Sequence, residues 1–310
     1  MVGATGTVGS QIADLLGTRG FPLAELKLFG RESASQTVES GERILPVAPL
    51  QNVAELAPFD IAFLAVERKE AAAFVAARPG PLLIDLSAAT VETGSAAPIS
   101  SPGLSQREQV VGLAAGGLLG VPHPAAHVIA AVLSAIGGAS FAGATVILTA
   151  SAAGHQMISE LFQQSADLLN ARLDLAEDQP QIAFNVFPTA DGQALGVAIT
   201  GQVTTLLSNP VSLALQIVSV PAFHGCAVAL FVPRRDDSGQ WAERLRAFPG
   251  LILVESTESS GFVDAVGQEA IIVSLSQTAA GAALWCVFDA ARLAALTAIW
   301  LAEQASAAHS

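Results

Sequence analysis

Gly3-Ala4-Thr5-Gly6-Thr7-Val8-Gly9 decides how the rest of this 310-residue chain is read. Glycine has no Cβ and tolerates positive φ, so the backbone can turn sharply here and approach a pyrophosphate closely. The helix predicted next, Ser10 to Leu16, offers unpaired N–H groups and the positive end of its dipole to phosphate oxygens. Ile12, Leu15 and Leu16 fall at i, i+3 and i+4, giving that helix one apolar face for a sheet. Glu25 to Gly30 reads as the strand that follows. Turn, helix and strand together describe a dinucleotide-binding unit, with Gly3, Thr5, Gly6, Thr7, Val8 and Gly9 as its cofactor-facing residues. Only Met1 and Val2 precede the turn, where a buried strand of about five residues normally stands. That short lead-in predicts unpaired backbone groups on the neighbouring strands, at about 1–3 kcal/mol each, and a true start upstream of Met1.

Working outward, Asp60 to Val66 and Pro81 to Ser87 are continuous apolar runs, as expected of parallel strands covered on both faces. The helix predicted between them, Glu70 to Ala77, is stopped by Pro79 and Gly80. Alternation of this kind defines a Rossmann-like, doubly wound parallel sheet over residues 1–122. From 123 to 289 the pattern changes. Helices are expected over Ala126–Ile136 and His155–Leu169, and strands over Thr145–Thr149, Ser212–Val220, Ala227–Val232 and Ile271–Leu275. Such runs without regular crossover helices predict an α+β domain with a mainly antiparallel sheet. The amphipathic helix within 290–310 is expected to pack back on the first domain. Arg234 to Gly239 reads as a solvated turn without function.

Composition excludes several classes. Charged residues make up 13% of the chain and apolar residues 52%, which rules out a disordered chain. A net charge of -13 argues against nucleic acid as a partner. Cys226 and Cys286 are the only cysteines, so no disulfide framework is indicated and a reducing cytoplasm fits. Mean hydropathy is +0.53, yet the uncharged stretch Gln109–Ser159 is broken by Gly116-Gly117, Pro122, Pro124 and Gly137-Gly138. Each apolar piece is shorter than the roughly 20 residues that span a bilayer, so no membrane segment is expected.

Several segments in order resemble the aspartate-semialdehyde dehydrogenase family, nearly end to end. They are the Gly3–Gly9 loop, Ile84-Asp85-Leu86-Ser87, Ser151-Ala152-Ala153-Gly154, Ile182-Ala183-Phe184-Asn185-Val186, Val220-Pro221-Ala222-Phe223-His224-Gly225, and Leu284-Trp285 with Asp289 and Arg292. Ile182–Val186 is the most specific of these matches. The resemblance implies an oxidoreductase fold, a homodimer formed through the second domain, a role in amino-acid biosynthesis, and NADP or NAD as cofactor. It adds Arg31, Ser33 and Ser87 to the cofactor residues, although Glu32 stands where the family's arginine would meet a 2′-phosphate.

Enzymes of that family attack the aldehyde with a cysteine thiolate, assisted by histidine, glutamine and arginines. Here His123-Pro124-Ala125-Ala126 resembles the family's Asn-Pro-Asn-Cys, so the nucleophile's place holds Ala126. Leu148 stands at the glutamine position, Cys226 at the histidine, and Ser219 and Val91 at two arginines. A methyl group cannot form a thioester. Gly192 to Pro233 also contains no Asp, Glu, Lys or Arg, so no arginine fork is available there. Three readings stay open: a catalytically degenerate member that keeps nucleotide-binding architecture; an active oxidoreductase built on a rearranged pair, Cys226 with His127 or His224; and a scaffolding partner of a biosynthetic enzyme. For the second, His224 and Cys226 are two apart and would share one face of a strand. No spacing recognised for zinc is present, and no metal is expected.

Overall fold

The computed structural model describes residues 1–30, 36–87, 97–172, 175, 179–189, 191–207, 209–255 and 260–306. The chain divides into two compact units: Met1–His127 with Ala291–Ser310, and Val128–Ala290.

In the first unit β1 (Leu28–Gly30) runs parallel to β3 (Arg43–Pro49), which pairs antiparallel with β2 (Thr37–Ser40). A second set, β4 (Ile61–Leu64), β5 (Leu82–Asp85) and β6 (Leu118–Gly120), is parallel throughout. Val2 joins the two sets, bridging Phe29 on one side and Leu64 on the other, both in parallel sense. The central strand is thus a single bridging residue. The backbone groups expected to lack partners find them: Val2 N donates to Phe63 O at 2.9 Å, Phe29 N to Met1 O at 2.8 Å and Ala65 N to Val2 O at 3.0 Å.

The glycine loop leaves this strand directly. Gly3 has φ +82, and a Cβ there would lie 2.1 Å from Ala65 O; a Cβ on Gly9 would lie 2.1 Å from Gly3 O. Helix α1 (Thr7–Thr18) then buries Ile12, Ala13, Leu15 and Leu16. α2 (Arg68–Ala77) and α3 (Arg107–Ala114) follow β4 and precede β6 respectively. The last helix of the chain, Ala290–Ser306, adds Ala295, Ala298, Ile299 and Ala302 to the same core. Its Arg292 Nη1 lies 3.0 Å from Asp14 Oδ2 and 3.0 Å from Gln11 Oε1.

α4 (Pro124–Ala135) contains the division between the units, and Val128 to Leu133 are at most 1% exposed. A helix apolar on all sides belongs inside a core. In the second unit a seven-stranded sheet has the order β11-β12-β13-β10-β7-β9-β8. Its strands are β7 (Phe141–Leu148), β8 (Phe187–Pro188), β9 (Ser212–Ser219), β10 (Cys226–Pro233), β11 (Leu251–Val254), β12 (Ile271–Gln277) and β13 (Gly281–Phe288). Four neighbouring pairs are antiparallel, but β7 and β9 are parallel, as are β11 and β12, so the sheet is mixed. α5 (His155–Leu169) and α6 (Gly192–Leu206) lie between β7 and β9 in the chain. α7 (Trp241–Ala247) and α8 (Phe262–Ala265) are short, and α9 denotes Ala290–Ser306.

Alternation along the sheet sends Ala144, Val146, Val228, Leu230, Leu284 and Cys286 inward. Gly143, Thr145, Ala214, Ala229 and Ala283 line an open groove of about 680 Å³ on the opposite face. The stretch read as a solvated turn has an architectural task instead. Arg235 donates to Gly138 O and, at 2.9 Å, to Ile136 O; Arg244 Nη1 donates to Ile136 O at 3.1 Å. Asp237 receives both guanidiniums, at 2.8 and 2.6 Å, and they hold its carboxyl well below the usual carboxylate range. Cations at a helix C-terminus satisfy its free carbonyls and oppose the negative end of its dipole. No described helix is long and apolar enough to cross a membrane.

Candidate functional site

The start of α1 meets the geometric demands of a phosphate cradle. Gly6 caps the helix with extended backbone and no side-chain cap. The N–H groups of Thr7, Val8 and Gly9 therefore open the helix without intrahelical partners. Thr7 Oγ1 is buried and without a hydrogen-bond partner among the described residues. Thr5 is exposed at the tip of the loop. At the end of β5, Asp85 is fully buried and accepts from Ser87 N at 2.8 Å and Ser87 Oγ at 2.6 Å, which fixes the Ser87 side chain. Ligands of open α/β sheets bind at these C-terminal strand ends. Arg31, Glu32, Ser33 and Val91 lie outside the described residues.

Ala126 sits in the first turn of α4 with no exposed surface. Its neighbours are imidazoles. His123 Nδ1 accepts from Ala125 N at 3.2 Å, and His127 Nδ1 is hydrogen-bonded to Ser101 Oγ. Burial lowers the pKa of each of these histidines from 6.5 to about 4, so both are neutral at pH 7. Ser101 has no exposed surface, and the adjacent Ser100 Oγ is buried without a hydrogen-bond partner among the described residues. The Ser101–His127 contact was not expected from sequence, because nothing in a separation of 26 residues marks it.

In the second unit, strand register gathers three of the positions singled out above. Leu148 closes β7, opposite Cys226 of β10 on one side and Ser219 of β9 on the other. Ser219 Oγ stands 3.0 Å from Thr189 Oγ1. Thr149, absent from the sequence candidates, is 3% exposed, donates to Gly225 O and lies 3.2 Å from Ser151 Oγ.

Cys226 has no exposed surface, and burial pushes its thiol up to about 11, against the opposing pull of hydrogen bonds with Thr149. At neutral pH burial keeps it a protonated, enclosed thiol. His224 does not share a strand face with it. β10 begins at Cys226, and Gly225 at φ +83 turns the chain, leaving His224 exposed. Cys286, buried, is raised to about 12. Among the described residues no group of three His, Cys, Asp or Glu side chains could hold a metal ion.

Residues 1–108 match the family model described as semialdehyde dehydrogenase, NAD binding domain, which defines the first unit as a nucleotide-binding domain of that class. A "USG-1 protein homolog" of Pseudomonas aeruginosa is 32% identical over 98% of this chain and 96% of its own length. The aspartate-semialdehyde dehydrogenase of Synechocystis is 27% identical over 98% of this chain and 95% of its own. The chain belongs to the aspartate-semialdehyde dehydrogenase family. A probable aspartate-semialdehyde dehydrogenase from Pseudomonas aeruginosa superposes with a TM-score of 0.86 at 29% identity, covering 97% of this chain and 96% of that one. Aspartate semialdehyde dehydrogenase II from Vibrio cholerae gives 0.88 at 24% identity, over 100% and 98%, a likeness of fold.

Proposed function

We propose that this protein is a catalytically silent member of its family, a cytoplasmic homodimer that keeps the nucleotide-binding architecture. The observation that carries the reading is Ala126: a methyl group with no exposed surface stands where the sequence resemblance aligns the attacking thiolate. The thiol and imidazole considered as a rearranged pair offer no substitute. Cys226 is enclosed and protonated at neutral pH, and His224 is exposed beyond a turn.

A nicotinamide dinucleotide, when bound, supplies a hydride acceptor. The residues present suit such a ligand. Gly3 and Gly9 admit no side chain, and the N–H groups of Thr7, Val8 and Gly9 with Thr7 Oγ1 are available to phosphate oxygens. Ser87, positioned by Asp85, and Thr5 flank that cradle in our reading, and Arg31 and Ser33 favour NADP over NAD. The open, charge-free sheet face in the second unit supports association of two copies. Two chains that each carry -13 meet with least repulsion where neither presents a charge.

The test uses full-length protein purified from a host lacking its own aspartate-semialdehyde dehydrogenase. We expect no phosphate-dependent oxidation of the aldehyde, together with a rise in melting temperature on adding NADP. Turnover above a mock purification would overturn the silent reading. An unchanged melting temperature with both nucleotides would overturn the retained cofactor.

A further inference from the structure

The first unit holds a cavity of about 960 Å³ that the nucleotide reading does not use, and all of its walls belong to Met1–His127 or Ala291–Ser310. Ile61 and Leu82, the residues that open β4 and β5, line it. The 4 residues of β4, at about 3.3 Å each, separate it from Ala65, whose carbonyl oxygen leaves Gly3 no room for a side chain. Cavity and cradle thus lie at opposite ends of the same strands. Phe59, Val111 and Pro22 add to the apolar wall. Small-molecule sites commonly enclose about 300–1,000 Å³ and are lined in this way, with a few polar groups that fix orientation.

The polar groups here are all of one sign. Asp60 is the only charged residue on the wall. It is exposed, and its carboxylate has no hydrogen bond or ion pair among the described residues. Two helices also end at the cavity. α3 closes at Ala114 and α9 at Ser306, and both residues line it, as does Ala305. Neither helix has a basic residue in its last turn. The end of α4 shows what is missing, because there Arg235 and Arg244 both donate to Ile136 O. A helix C-terminus carries about half a negative charge. One carboxylate and two such poles therefore face a space with no Lys, Arg or His among its described lining residues.

We propose that this cavity is a second ligand site, for a small organic cation with an apolar body. The ammonium or guanidinium group meets Asp60 and the two helix ends, as a cation at a helix C-terminus should, while the body lies against Phe59, Ile61 and Leu82. Site and ligand class are independent of the silent-enzyme reading and of the nucleotide.

Calorimetric titration of the full-length protein with phenethylammonium, phenethyl alcohol and hydrocinnamate tests this, since the three probes share an aromatic body and differ in charge. Only the ammonium should bind, with a Kd unchanged by saturating NADP. Asp60→Asn should weaken it by about three- to tenfold. Ala115→Phe, at an exposed position on the wall, fills the space and should abolish binding. Both variants should keep the wild-type melting temperature. Equal binding of the alcohol or the anion would overturn the charge argument, and an unaltered Kd in either variant would overturn the location. Competition by NADP would move the probe to the cradle and sink the second site. Failure of all three probes to bind would do the same.

Discussion

The glycine loop at the start of α1 and the corner where Leu148, Cys226 and Ser219 meet are held in place by different things. In the loop, function rests on backbone: a Cβ on Gly3 or Gly9 would stand 2.1 Å from a carbonyl oxygen, so packing alone preserves the glycines. At the corner, register is equally regular, with Cys226 opposite Leu148 and Leu148 opposite Ser219. Yet nothing in that register requires a reactive side chain, and apolar or neutral groups fit. A binding architecture built from main chain is thus tied to folding itself, whereas chemistry built from side chains is not.

The largest test of this contrast is Gly3→Val. The loop should fail both as cradle and as fold element, with nucleotide binding lost and urea stability reduced by about 3 kcal/mol or more. A variant that keeps wild-type stability would show that the loop is not held by packing.

Next in size is pH. His123 and His127 have folded pKa values near 4, below the ordinary 6.5, because burial disfavours the imidazolium. The unfolded chain thus binds protons first. Their stabilisation is complete above about pH 6.5 and is lost as pH falls toward 4, by about 3 kcal/mol for a group shifted this far. Urea midpoints measured across that window should decline, and His127→Gln should flatten the decline. An equal slope in the variant would remove His127 as a cause.

The smallest effect is expected at Ala126. Ala126→Cys restores the thiol but not its company, so aldehyde oxidation should stay absent in a coupled NADPH assay. The added sulfur enters a site with no exposed surface and should cost about 1–3 kcal/mol in chemical denaturation. Recovered turnover would mean that a thiol at this position is the one thing the chemistry lacks.

Much of the fold was legible from local pattern. Uninterrupted apolar runs marked β4 and β5, and the glycine spacing marked the turn before α1. What pattern missed depends on partners distant in sequence. Val2 is one residue long as a strand, and only its two neighbours, Phe29 and Leu64, reveal it. The parallel pairing of β7 with β9 cannot be read from either strand, and it makes the second sheet mixed. Arg235 looked like a surface charge because the carbonyls it caps lie 97 and 99 residues earlier. The same limit applied at the site. Spacing placed His224 and Cys226 on one face, but that rule needs an unbroken strand, and Gly225 breaks it. Ser101 gave no signal of its partnership with His127.

The clamp on the end of α4 carries a wider meaning. Residues 128–290 contain five arginines, and two of them, Arg235 and Arg244, direct their guanidiniums at peptide oxygens and at one shared carboxylate. The positive charge of these two thus works as joinery, tying a helix end to the loop after β10. A small anion arriving there would find those two hands already full.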